Sequence, residues 1–378
     1  MEETTNLSES YDRHQTMEVF SVMYHQCCVS KNRLLAMIAI VVFFSFSSAL
    51  AEDSRDLVFL TWSEYMDPKL IEKFENRFNT KVKFAYFESD ELRDDMLLNS
   101  DGAVYDVICL NGRSIKTYSK QDWLAPMTTK DVPNKKHIDP RWAEAFEGAA
   151  EYAVPFFWGT IGIAYREDVV KQPISSWKQL IEPAPELQGR IVLVKDARDL
   201  MVMALKSQGY SINTSNHQEL DKAKSLLLAQ KPYVHDYSYI SLTEESALVT
   251  GDAVAALAYN GDALTVAEHD ENIKYVVPEE GTAIWIDYLA VSKASKKKKL
   301  AMDFINFLNE PENAAQLAQY VYFASANKAA EKHLPQEFLS DPVIYPGMAF
   351  INSSEFYLKL PPRTQKKYND ILPQLTGE

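Results

Sequence analysis

The sequence predicts an α/β protein of two lobes, each a mostly parallel sheet flanked by helices. Short apolar, β-rich runs alternate with stretches of helical period, an order that implies parallel strands joined by right-handed crossovers. The alternation occurs once between about residues 57 and 110 and again beyond about residue 190. Composition agrees: 378 residues, 46% of them hydrophobic, with only 12 Gly and 17 Pro, supply apolar material for two cores and do not resemble a disordered chain.

The first 51 residues read differently from the rest. Lys31-Asn32-Arg33 is a basic stretch, Leu34 to Phe46 is charge-free and mostly apolar, and Ala49 and Ala51 stand where a signal peptidase reads small residues. This is the three-part secretory pattern, and its apolar run is short for a bilayer span. Cleavage after about Ala51 is expected; an uncleaved anchor is the alternative. Residues 1–30 carry no apolar periodicity and fit a misassigned start codon better than a folded element. Removing the leader's five acidic and three basic residues changes the net charge from −14 to −12 and leaves Cys109 as the single cysteine. No intramolecular disulfide is then expected, even in an oxidising compartment.

Leu57–Thr61 is the first predicted strand. Asp67-Pro68 follows as a helix N-cap and first helical proline, with Leu70, Ile71, Phe74 and Phe78 at helical spacing. Val82, Phe84 and Tyr86 alternate with Lys81, Lys83 and Ala85, which is strand period. A helix is expected over residues 90–99 and a strand over 104–110. Further on, 191–194, 253–259 and 283–292 read as strands, and 200–208 and 301–308 as helices. The stretch 152–165 is a candidate crossover, and Lys296–Lys299 reads as a solvated loop or a helix start.

Several functions are disfavoured. An acidic chain lacks the Lys/Arg surplus that phosphate neutralisation needs, so no nucleic-acid partner is expected. G-x-S-x-G, Walker A, H-E-x-x-H and EF-hand patterns are absent, and Gly159 and Gly162 lack the rest of a dinucleotide fingerprint. His137, His217, His235, His269 and His333 show no ligand spacing. Neither an enzyme nor a bound metal or cofactor is therefore expected.

What stands out is acid beside aromatic at predicted strand ends, where open α/β sheets bind their ligands. Trp62-Ser63-Glu64-Tyr65, Asp196 with Asp199, Tyr259 with Asp262, and Trp285 with Asp287 are four such places. Residues 285 and 287 share one face of their strand. A carboxylate and a ring together hold an ammonium, through a charge-assisted hydrogen bond and a cation–π attraction of roughly 0.5–2 kcal/mol. A linear polyamine needs several such stations and apolar walls between them. Blander readings stand beside these. Asp196 and Asp199 also suit a helix cap and its N3 partner, Asn260-Gly261-Asp262 suits a turn, and Trp62 and Trp285 suit a core.

The motifs TWSEY (61–65), FESDE (87–91), VPFFWGT (154–160), DAR (196–198), YNGD (259–262) and WID (285–287) occur in an order that resembles the bacterial periplasmic spermidine/putrescine-binding proteins. The likeness runs from about Leu57 to the C-terminus. It implies a type II periplasmic binding fold with the ligand cleft between lobes 54–159 plus 287–332 and 165–281 plus 335–378. The crossovers would lie near 160–164, 282–286 and 333–334. By position, it implies that Trp62, Ser63 and Tyr65 line the first wall and that Asp196 and Asp199 bind amines. Tyr259 takes a ring-bearing position, Asp262 supplies an acid, Trp285 stacks on methylenes and Asp287 holds an amine. Glu64 has a less defined role. Departures from the pattern are Asn111-Gly112-Arg113 where the family carries Ser-Thr-Tyr or similar, Phe323 in place of a tyrosine, and Tyr357 in place of a glutamine.

The expected function is a soluble, monomeric periplasmic receptor for the putrescine, spermidine and norspermidine class. It would close around the ligand and present the closed form to a membrane partner. That partner is an ABC permease or, in a signalling branch of the family, a sensor enzyme linked to cyclic di-GMP. The alternative is a receptor for a different, anionic solute gripped by Arg113.

Overall fold

The computed structural model of the chain describes residues 56–100 and 102–377. The leader and its cleavage point lie outside the described residues. Strand β1 (Leu57–Thr61) is followed by helix α1 (Pro68–Phe78), β2 (Val82–Tyr86), α2 (Asp90–Ser100), β3 (Val107–Asn111) and α3 (Gly112–Lys120). β1 pairs in parallel with both β2 and β3, so these strands end on one edge, at Thr61, Tyr86 and Asn111. α1 begins at the expected cap: the Asp67 carboxylate accepts the Lys69 N–H at 2.8 Å and Pro68 follows it. Its apolar face buries Leu70, Ile71 and Phe74.

β4 (Ala153–Arg166) is a single strand of 14 residues over the stretch read as a candidate crossover. Beyond it lie β5 (Ile191–Leu193), α4 (Ala197–Lys206), α5 (His217–Gln230), β6 (Val234–Tyr237), β7 (Ala255–Tyr259), α6 (Asn260–Ala267) and β8 (Ile273–Val276). β5 pairs in parallel with β6 and β7, which gives a second set of strands with a common carboxyl edge. β9 (Ala283–Val291), α7 (Lys298–Leu308), α8 (Pro311–Val321), β10 (Ala324–Ser325), β11 (Glu355–Phe356) and α9 (Pro362–Asn369) complete the regular elements discussed below.

The main strand order is β2-β1-β3-β9-β4-β7-β5-β6. β9 runs antiparallel to both β3 and β4, and β4 runs antiparallel to β7. The parallel character therefore belongs to the two outer sets, and the central strands alternate in direction. β4 pairs with β9 up to Thr160 and with β7 from Ile161 onward. Because β3 and β7 point in opposite directions along this shared rail, the carboxyl ends of both parallel sets converge on its middle.

Two large buried cores flank that line. One gathers β1, β3 and β9 with α1 and α7; the other gathers β5 and the far half of β4 with α4 and α5. Tyr259 and Trp285 pack against both.

Some boundaries differ from expectation for local reasons. β3 starts at Val107, not 104: Val104 is exposed, and the buried Asp106 accepts the Val58 N–H at 2.8 Å and the Ser295 hydroxyl at 2.6 Å. α4 starts at Ala197 because Asp196 caps it. α7 takes in Lys298 and Lys299, so the lysine run is partly a helix start. Among the described residues no helix is long and apolar enough to cross a membrane.

Candidate functional site

The register brings the predicted residues to one line. Asp287 of β9 lies opposite Asn111 at the end of β3, Trp285 opposite Gly159 of β4, and Tyr259 at the end of β7 opposite Ile161. Trp62 to Tyr65 follow β1 directly, and Asp196 and Asp199 sit on the first turn of α4, just after β5.

Three acids there are poorly compensated. Asp287 is 8% exposed and accepts the Tyr65 hydroxyl at 2.9 Å. Burial pushes its carboxyl up to about 6, against the hydrogen bonds from Tyr65 and Trp62. Asp199 is 3% exposed and accepts the Tyr259 hydroxyl at 2.7 Å on one oxygen and the Tyr357 hydroxyl on the other. Burial, then the neighbouring Asp196, push it up to about 7. Asp262, in the first turn of α6, is likewise pushed up to about 7 by burial and by Glu64. Among the described residues no basic side chain forms an ion pair with any of the three. Burial also holds the hydroxyls of Tyr65, Tyr259 and Tyr357 well above the ordinary tyrosine range, so all three remain donors.

Asp196 caps α4, accepting the Arg198 and Asp199 N–H groups at 2.7 and 3.1 Å. The capping reading is correct for Asp196. Asp199, at N3, turns instead to the two tyrosines. Asn260-Gly261-Asp262 is the start of a helix and not an isolated turn.

The rings form a continuous belt. Tyr239 stacks near Tyr259 with centroids 6.3 Å apart, and Trp285 meets Tyr259 at 6.0 Å and Phe323 at 4.6 Å, both edge to face. Tyr65 continues the belt to Phe323 at 5.9 Å and Phe157 at 5.5 Å. Phe323 is buried among the rings of Tyr65, Phe157 and Trp285. Among the described residues the Trp285 indole nitrogen has no hydrogen-bond partner, so this residue contributes its ring. Trp62 packs on Phe87 with centroids 4.4 Å apart. Close approach here needs glycine: a Cβ at Gly261 would come within 2.4 Å of Phe323 and 2.5 Å of the Val321 carbonyl, and one at Gly159 within 2.2 Å of Asn260 and 2.6 Å of Trp285.

Ser63 and Glu64 are exposed, and Glu64 adopts a left-handed φ of 57°. Of the pair, Glu64 reaches the site electrostatically, through Asp262. Asn111 caps α3 by accepting the Ser114 N–H at 3.1 Å, and its amide donates to Asp90. Arg113 is bound to the same Asp90, which also pairs with the buried Arg93. The two guanidiniums hold Asp90 below the usual carboxylate range against its burial. An arginine committed in this way is not a free anion grip. Tyr357 joins the site through Asp199.

Sequence reasoning did not single out Asp90, Arg93, Phe157 or Tyr239. Asp90 lies within the FESDE motif and Phe157 within VPFFWGT, so a signal existed for those two. Tyr239 follows β6 in an irregular segment, and no spacing marks its approach to Tyr259.

Comparison with known proteins gives the family and the fold. The family model described as bacterial extracellular solute-binding protein matches residues 69–345. The spermidine/putrescine-binding periplasmic protein of Escherichia coli K12 is 30% identical over 312 residues, covering 82% of this chain and 88% of that protein. The norspermidine sensor of Vibrio cholerae is 30% identical over 286 residues, covering 75% of this chain and 78% of the sensor. Among solved structures, the spermidine/putrescine ABC transporter substrate-binding protein PotD of Streptococcus pneumoniae superposes with a TM-score of 0.74 at 28% identity, covering 85% of this chain and 98% of that one.

Proposed function

From the premise that the chain belongs to the bacterial extracellular solute-binding protein family, we propose that it is a periplasmic receptor for linear polyamines. The observation that carries this reading is the trio Asp199, Asp262 and Asp287. These acids are held near neutrality beside a belt of rings, with no protein cation paired to them among the described residues. Ammonium groups supply the missing charge, and the rings supply cation–π contacts and walls for methylenes. The relatives named for spermidine, putrescine and norspermidine support the same class.

The ligand-binding residues are Trp62, Tyr65, Asp196, Asp199, Tyr259, Asp262, Trp285 and Asp287, with Ser63 and Glu64 at the rim. Phe323 is wall, Tyr357 positions Asp199, and Asn111 positions Asp90. The lobes are 54–159 with 287–332 and 165–281 with 335–378, and they close on the amine so that both walls bear on it. The closed form is what a membrane partner recognises, either an ABC permease or a sensor. The protein is a monomeric receptor and not a catalyst, exported by cleavage after about Ala51.

Calorimetry with putrescine, spermidine, norspermidine and spermine tests the reading. Binding of at least one is expected. Asp287→Asn should weaken it roughly 10- to 100-fold, the worth of a charge-assisted hydrogen bond. Trp285→Ala should weaken it by about 10-fold or more, with thermal melts confirming that each variant folds. Absence of heat with all four amines sinks the proposal.

A further inference from the structure

The cleft carries a cation of its own. Arg113, on the first turn of α3, is tied to Asp90 yet lies 5.8 Å over the ring of Tyr357, on the far side of the cleft. Tyr357 donates to one oxygen of Asp199, and Tyr259 donates to the other at 2.7 Å. Asp196 beside them accepts two backbone N–H groups on one oxygen, Oδ1. The guanidinium acts electrostatically on both Asp196 and Asp199. Asp90 does not absorb it fully, because the same carboxylate serves Arg93 and the Asn111 amide. This end of the cleft thus receives two phenol donors and has a protein guanidinium near it, one residue removed through Tyr357.

The other stations differ. Asp262 has no hydrogen bond or ion pair among the described residues and faces the like charge of Glu64. Asp287 accepts a hydrogen bond from the neutral Tyr65 phenol and forms no ion pair among the described residues. Two stations therefore lack a cation from any source but the ligand.

Building on the polyamine-receptor reading, we propose that Arg113 is a specificity-determining residue that stands in for one ammonium at the Asp196–Asp199 end, so that the cleft takes a diamine in preference to a triamine. A third ammonium would have to enter beside a guanidinium that cannot lose its proton, and the repulsion is strong where water is excluded. Discrimination of this kind comes from the unfavourable contact as much as from the favourable ones.

The test is calorimetry of putrescine and spermidine against the wild type, Arg113→Gln and Arg113→Lys. Arg93 and Asn111 remain as partners of Asp90 in both variants, which protects the fold. The wild type should bind putrescine more tightly. Arg113→Gln should raise the affinity for spermidine relative to putrescine by roughly 10-fold or more, whereas Arg113→Lys should keep the wild-type order. A wild type that prefers spermidine, or an Arg113→Gln protein with an unchanged affinity ratio, overturns the proposal. A merely structural role would weaken both ligands together and leave the ratio unmoved. Failure of every protein to bind either amine is a different result, and it overturns the receptor reading itself.

Discussion

Asp199 and Asp262 near 7 and Asp287 near 6 give the site a pH dependence whose sign is fixed. Each acid must be ionised to hold an ammonium, so polyamine affinity should fall as pH drops from 8 to about 5. Binding near pH 6.5 should release protons, seen as a heat that changes with the ionisation enthalpy of the buffer. Without ligand the linkage runs the other way for stability. The folded carboxyls stand above the ordinary value of 3.8, so their contribution is fully present below about 4 and is lost as pH rises through 6 to 7. The thermal shift produced by ligand should therefore grow with pH between 5.5 and 8; a shift independent of pH would contradict the assignment. These residues were legible one by one in the sequence, as acids next to rings. What could not be read was their bonding. Asp199 turning from the cap to Tyr259 and Tyr357, and Arg113 meeting Asp90, are contacts between side chains 60, 158 and 23 positions apart.

At the scale of elements, the site depends on how closely α6 is seated. Gly261 lies against Phe323 and the Val321 carbonyl, in contacts that admit no methyl group. Gly261→Ala should force the start of α6 outward, carrying Asp262 with it. Polyamine affinity should drop by roughly 10-fold or more, beyond any loss of stability, since overpacking typically costs about 1–3 kcal/mol. An affinity within 2-fold of wild type, by calorimetry on a folded sample, would show that α6 accommodates the methyl elsewhere. Elements with a strong local signature were readable: α1 from Asp67-Pro68 and its apolar period, β2 from its alternation. Less readable were those defined by distant partners. β4 reads as an ambiguous apolar run, and only its two sets of neighbours make it a 14-residue strand. α6 begins with Asn260 and Gly261, residues of turn character, because Asn260 is fully buried and its side chain accepts the Thr160 N–H at 3.1 Å.

At the scale of the molecule, ligand should couple the two walls. Arg113 over Tyr357 and Lys359 bonded to Thr117 at 3.1 Å already join them. On the proposed reading, an amine held by Asp262 on one side and Asp287 on the other would add its binding free energy to that union. With ligand at roughly 100 times Kd, apparent stability should rise by about 2.7 kcal/mol. The radius of gyration from small-angle scattering should fall or stay constant, and an expansion would contradict closure. The fold class was legible because strand–helix alternation recurs with ordinary spacing. Which strand neighbours which was not, since a pairing such as β3 with β9 joins segments far apart in sequence.

That interleaving has a consequence for how the chain comes into being. β9 and β4 are the central strands for both sets of parallel strands, yet β9 is made after the whole of the second set. As the chain emerges, β1 to β3 have no neighbour on one side until residue 283 has been synthesised. An exposed strand edge of that kind is a template for wrong pairing. The architecture that brings both walls to one ligand thus leaves the first-made portion dependent on the last, and cutting the chain at the crossing would yield two pieces each missing its middle.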